Sequence, residues 1–216
     1  MSRQVALTRA GGAIASPPMC NLYRLRTTRD EVASYFRADP TPAAPQEKDY
    51  VSPGRPGLVV RDTGAGLAIE TMGWGWPPPR NARGPVVNVR NYASPMWRSA
   101  IAEPARRCLV PVTEFQEWSV GPDPITGKKR PHWFRLPSRP IFAFAGIWRP
   151  SEAGAVYAFL TTGYDGDPAH HLVGAIHPKA IPVILHEEDH DRWLSAPVDE
   201  ALSLTTAFPS QLMAVE

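Results

Sequence analysis

The sequence predicts an α+β fold, a single domain built around a curved, mainly antiparallel and barrel-like β-sheet with a few short helices. Three observations carry that expectation. Short apolar runs recur through most of the chain, and only a few segments show helical periodicity. Twenty-five prolines among 216 residues interrupt any long helix. Strands outnumber helices and do not alternate with them regularly, which separates this pattern from a parallel α/β fold.

Taken in order, Cys20 to Arg26 alternates loosely and reads as a first strand. Thr28 and Glu31 form a capping box ahead of a short helix whose apolar stripe is Val32, Tyr35 and Phe36. A Pro/Ala-rich loop, 37–49, follows. Leu58–Val60 and Leu67–Ile69 read as a strand pair around the turn at Asp62-Thr63-Gly64. Trp74 to Arg90 reads as a long loop containing Pro77-Pro78-Pro79, and long ordered loops are often functional. Ser94-Pro95 predicts an N-cap and first turn of a helix through about Ala102. Strands are expected at Cys108–Val112, His132–Leu136, Ile141–Trp148, Val156–Thr161 and Pro182–Leu185, with a hairpin tip over 119–131. Glu187–Leu194 closes the domain as a short helix.

Composition narrows the function classes. Hydrophobic residues at 43% and charged residues at 20% describe an ordinary globular domain, and the length suffices for a substantial core. A net charge of +2 means that any nucleic-acid contact must come from local clusters of arginine and lysine. Two cysteines, Cys20 and Cys108, give neither a disulfide framework nor a four-ligand zinc pattern, and point to a reducing cytoplasm. No apolar run approaches a membrane span, and no Gly-rich phosphate loop follows a strand. Residues 1–18 lack an apolar targeting core and read as a disordered leader, leaving 19–216 as the domain. Translation starting at Met19 is the preferred origin of a free Cys20, ahead of self-cleavage before Cys20.

Several side chains could carry chemistry. A cysteine directly after a methionine can become an N-terminal residue with an α-amine and a thiol on adjacent atoms, a pair suited to attack on an aldehyde or acyl group. Glu114 and Glu117 lie among aromatics in Thr113-Glu114-Phe115-Gln116-Glu117-Trp118, where lost hydration can turn a carboxylate into a proton donor and acceptor near neutral pH. Among six histidines, His170, His171, His186 and His190 read as solvated, while His177 follows an apolar stretch. Cys108, in an apolar strand, reads as core. Trp74, Trp76 and Pro53 could offer flat faces to bases, although Trp74 fits a core position equally well. Arg80, Arg83, Arg90, Arg98, Arg106 and Arg107 gather positive charge in one region of sequence.

Met19-Cys20, Asn88-Val89-Arg90, Arg107-Cys108-Leu109-Val110-Pro111, Glu117-Trp118 and Ile176-His177-Pro178-Lys179-Ala180-Ile181-Pro182 stand in an ordered set. That set resembles the SOS-response-associated peptidase (SRAP) family, with Tyr50 to Gly54, Trp74-Gly75 and Phe142 to Trp148 as further matches. The resemblance implies a DNA-damage protein that crosslinks covalently to abasic sites in single-stranded DNA through an N-terminal cysteine, with a peptidase-like step freeing Cys20. It implies catalytic roles for Cys20, Asn88, Glu117 and His177, the last two selected over Glu114 and the other histidines by the family pattern. It implies DNA contacts for Arg90, Trp76, Pro53 and Lys179, Lys179 standing in for an arginine of the pattern. No cofactor, metal or membrane is implied, and the expected state is a monomer in the cytoplasm at the nucleoid. Asn21-Leu22 replaces the commoner Gly-Arg, removing one expected phosphate contact. Two other readings use the same residues: a cysteine amidohydrolase or peptidase acting on small substrates, and a noncatalytic single-strand binder.

Overall fold

Alternating apolar residues in the central strands bury both of their faces, and that decides the architecture. The computed structural model describes residues 22–44, 48–78, 84–177 and 180–216. Its strands are β1 (Tyr23–Arg24), β2 (Tyr50–Val51), β3 (Pro56–Asp62), β4 (Leu67–Trp74), β5 (Asn88–Val89), β6 (Arg107–Val112), β7 (Glu114–Trp118), β8 (Pro131–Arg135), β9 (Phe142–Arg149), β10 (Val156–Thr162), β11 (Ile181–Pro182), β12 (Ile184–Leu185) and β13 (Ala214–Val215). Its α-helices are α1 (Arg29–Phe36), α2 (Arg98–Ala102), α3 (His190–Ser195) and α4 (Val198–Ser203).

The larger sheet runs β10-β4-β3-β6-β9, and β9 pairs back onto β10, closing a ring. The β10–β4 and β10–β5 pairings are parallel and the others in this sheet antiparallel, so the predicted barrel-like, mainly antiparallel sheet is what forms. A second, antiparallel sheet, β13-β8-β7-β1-β2, packs beside it. Along β9, Phe142 and Phe144 join one hydrophobic cluster and Ala143, Ala145 and Ile147 the other. The first cluster also holds Tyr23, Trp74, Cys108, Phe115, Phe134 and Phe159, joining the two sheets. The second is covered by the helices through Val32, Phe36, Ile101, Trp193 and Ala201. Period-two alternation thus assigns one face to aromatic sheet packing and the other to helices.

Local signals explain the elements and their shifts. Thr28 accepts a hydrogen bond from Glu31 N–H at 3.2 Å while Glu31 accepts one from Thr28 N–H at 2.8 Å, the reciprocal cap expected of this spacing. The helix predicted from Ser94 begins later, at Arg98. Ser94 Oγ accepts from Met96 N–H at 3.3 Å, so the serine caps a turn ahead of α2. The first strand is shorter than expected, and β5 interrupts the long loop after Trp74. The last predicted strand divides into β11 and β12 at Val183, whose N–H donates to Leu160 while its carbonyl accepts from Ala145. Helix α4 and strand β13 were not foreseen.

Arg107 corrects an expectation. It is buried rather than part of a basic surface, and its guanidinium donates to the carbonyls of Ile101 (2.8 Å), Trp193 (3.1 Å) and Ala196 (2.6 Å). It ties β6 to α2 and α3. Among the described residues no helix is long and apolar enough to cross a membrane.

Candidate active site

The site lies where the two sheets meet. Strand β7 places Glu117 wholly out of solvent, opposite His132 of β8. Strand β5 holds Asn88, also buried, in parallel register with Phe159, while Arg90 just beyond is exposed. His177 Nε2 lies 4.0 Å from Glu117 Oε2, with its side chain 13% exposed. Two residues distant in sequence are therefore brought together. Glu114, the competing carboxylate, points elsewhere: it pairs with Arg24 at 2.8 Å and Arg26 at 3.4 Å, and Arg24 stacks on Trp133. Glu117, not Glu114, faces the histidine.

A compact turn aims His177. Its N–H donates to Val173 O at 2.7 Å. Inside the turn, His171 Nδ1 accepts from the N–H groups of Val173 (3.2 Å) and Gly174 (3.0 Å), and its Nε2 lies 2.9 Å from Phe208 O. That pattern makes Nε2 the protonated nitrogen. His171 is buried, not solvated as its loop position suggested, and it pins the turn to the C-terminal segment. The apolar run Leu172 to Ile176 behind it was the available signal. Burial lowers the His177 pKa, and the charges of Arg90 and Lys129 lower it further. The imidazole is thus held as a neutral base at neutral pH.

Strand β1 brings Leu22 to this place. Tyr23 pairs with Phe115, and Gln116 N–H donates to Leu22 O at 3.0 Å, one residue from Glu117. Below it, the hydroxyls of Tyr23 and Tyr157 hydrogen-bond to each other in the core. Cys20 and Lys179 lie outside the described residues, as do Arg80, Arg83 and residues 1–18. Cys108 is buried, and burial pushes its thiol far above the usual range, so it is core as expected.

The two flat residues part company. Pro53 is exposed at the corner of a turn in which Arg55 N–H donates to Ser52 O and Gly54 adopts φ 79°, the left-handed value a type II turn requires at that position. Trp76 is only 1% exposed. Its bridge to Val86 folds the segment inward, and the ring packs against Trp97 beneath the Arg149 guanidinium at 4.5 Å. That corrects the expectation of a base-stacking face at Trp76. Trp74 is core as well, stacked on Phe159. Among the described residues no cluster of His, Cys, Asp or Glu could hold a metal ion.

The sequence pattern of the family described as SOS response associated peptidase (SRAP) matches residues 19–216. The chain belongs to the SRAP family. A relative from Bacillus subtilis (strain 168), named abasic site processing protein YoaM, is 25% identical over 191 residues, covering 82% of this chain and 79% of that protein. Among solved structures, a Bordetella bronchiseptica protein superposes with a TM-score of 0.71 at 23% identity, over 91% of this chain and 98% of that one. One from Bacteroides thetaiotaomicron gives a TM-score of 0.68 at 20% identity, over 91% and 90%. These structures share the fold. In this SRAP domain, Glu117 of β7 and the His177 turn face each other, and Asn88 lies buried on β5.

Proposed function

We propose that the protein captures abasic sites in single-stranded DNA covalently through Cys20, once the residues before it are removed. The observation that carries this reading is the buried Glu117 beside His177, next to the point where Leu22 is bonded to Gln116. Cys20 precedes Leu22 by two residues, a step that spans at most about 7 Å. In this reading Cys20 works beside that acid–base pair. The name of the Bacillus subtilis relative supports an abasic site as the target.

An abasic deoxyribose opens to an aldehyde at C1′. The α-amine of Cys20 adds to that carbon, water leaves and an imine forms. The thiol then adds across the C=N bond, sulfur to carbon and proton to nitrogen, closing a thiazolidine. One water is lost, and nothing is oxidised or reduced. Glu117 moves the protons of ring opening and dehydration, and His177, a neutral base, takes the thiol proton. Asn88 orients the amine or sugar. Arg90 meets a phosphate, and Pro53 offers its exposed ring to a neighbouring base. Holding amine, thiol and aldehyde together supplies the proximity that a five-membered ring needs.

Intact mass spectrometry of protein beginning at Cys20, mixed with single-stranded DNA carrying one abasic site, tests this. An adduct one water lighter than the sum, absent with undamaged DNA and with Cys20→Ala, is expected. No adduct from protein with a confirmed N-terminal Cys20 overturns the reading.

A further inference from the structure

The β7–β8 hairpin tip exposes apolar surface that the fold does not require. Ile125 is 88% exposed and Val120 70%, the two most exposed large apolar side chains among the described residues. The tip is nevertheless tightly built. The Asp123 side chain is 1% exposed, accepts hydrogen bonds from the N–H groups of Ile125 (3.0 Å) and Thr126 (2.7 Å), and pairs with Arg130. Asp123 N–H donates to Lys128 O, and Gly127 N–H to Asp123 O. A buried carboxylate thus holds Ile125 out in water, leaving its apolar surface open to a partner.

The tip also carries charge beside the site. Of Lys128, Lys129 and Arg130, only Arg130 has an ion-pair partner among the described residues. Ser119 N–H donates to Arg130 O, extending the ladder one step past the Trp118–Pro131 pair, itself adjacent to Glu117. The tip thus continues the strand pair that carries Glu117 and His132, with Lys129 exposed in it, and Arg90 follows β5.

We propose that this hairpin tip is a contact for the single strand entering the site, Lys129 meeting a backbone phosphate and Ile125 packing against a nucleobase face. The proposal rests on the function proposed above and names how its substrate is held. An exposed aliphatic wedge beside a cation fits a polyanion with flat apolar faces, a combination that DNA-binding proteins use where bases are unstacked. The depression of the His177 pKa by Lys129 places that charge near the reacting groups.

The test separates the two contacts and is independent of crosslinking. In a Cys20→Ala background, the affinity for an abasic single-stranded oligonucleotide is measured by fluorescence anisotropy across salt concentrations. Lys129→Gln is expected to lower the slope of log affinity against log salt by about 0.7, the contribution of one single-strand phosphate contact. Lys129→Arg should restore it. Ile125→Ser should weaken binding about fivefold, as for removing roughly half of a buried isoleucine, with the slope unchanged. Both positions are exposed, so the melting temperatures should match the parent. Unchanged slope in Lys129→Gln and unchanged affinity in Ile125→Ser overturn the proposal, even where adduct formation stands. A missing adduct with both binding effects present overturns only the covalent reading.

Discussion

Arg107 and Glu117 are both shut away from solvent, yet they are buried for different ends. The Arg107 guanidinium is surrounded by carbonyls at the ends of α2 and α3 and joins those helices to β6. Glu117 sits 4.0 Å from a titratable ring at the junction of the two sheets. A buried charge answered by fixed backbone dipoles serves the fold. A buried carboxyl group set against a group that gains and loses a proton serves chemistry. Substituting each should therefore move a different observable.

The larger effect is expected at Glu117. Glu117→Gln keeps the shape and removes the exchangeable proton, so the single-turnover rate of adduct formation should fall about 10²- to 10⁴-fold, the usual contribution of general acid–base catalysis. Its unfolding midpoint should change little, because a buried carboxylate is weak support for a fold. A large loss of stability with normal rate would reverse the distinction drawn between the two residues.

Arg107→Met should give the opposite pattern. Three carbonyls lose a charged donor, which is expected to cost about 3–5 kcal/mol in urea unfolding. In a domain of this size that corresponds to a melting temperature lower by roughly 10 °C. Adduct formation per folded molecule should be unchanged. A rate defect in the folded fraction would place Arg107 in the site rather than the scaffold.

Gly57 probes the packing between these extremes. A methyl there would run into the hydroxyls of Tyr157 and Tyr23, which hydrogen-bond to each other beneath β1. Gly57→Ala should cost about 1–3 kcal/mol through overpacking. Adding Tyr157→Phe should recover part of it, since the hydroxyl nearest the new methyl is gone. No recovery would mean that the strain lies in β3 itself.

The same contrast explains what could be read from the sequence. Features set by neighbours in the chain were legible: the Thr28–Glu31 cap, the β3–β4 pair and its turn, and the strand β9. So was Glu117, through the aromatics flanking it and the family pattern around it. Features set by distant segments were not. Arg107 looked like its basic neighbours until α3 supplied carbonyls some ninety residues away. His171 looked solvated because Phe208, which receives its ring hydrogen bond, comes from the far end of the chain. Trp76 lies in a Pro-rich segment that reads as surface, and only packing against Trp97 and Arg149 buries it.

The smallest expected effect concerns pH. Burial, with Arg90 and Lys129 nearby, holds the folded-state pKa of His177 below its ordinary value of 6.5. The unfolded chain keeps the ordinary value, so between the two values it binds a proton that the folded protein does not. Stability must then rise with pH in that window. Above about 6.5 the residue contributes no penalty, and the loss grows as pH falls toward the folded value. His190 is depressed in the same direction, mainly by burial, so the difference between the parent and His177→Gln isolates one ring. Urea unfolding from pH 7.5 downward should show a shallower acid loss in His177→Gln. Lys129→Gln should raise the His177 pKa in an NMR titration and narrow the window. Identical pH slopes in the parent and His177→Gln would mean that His177 keeps an ordinary pKa.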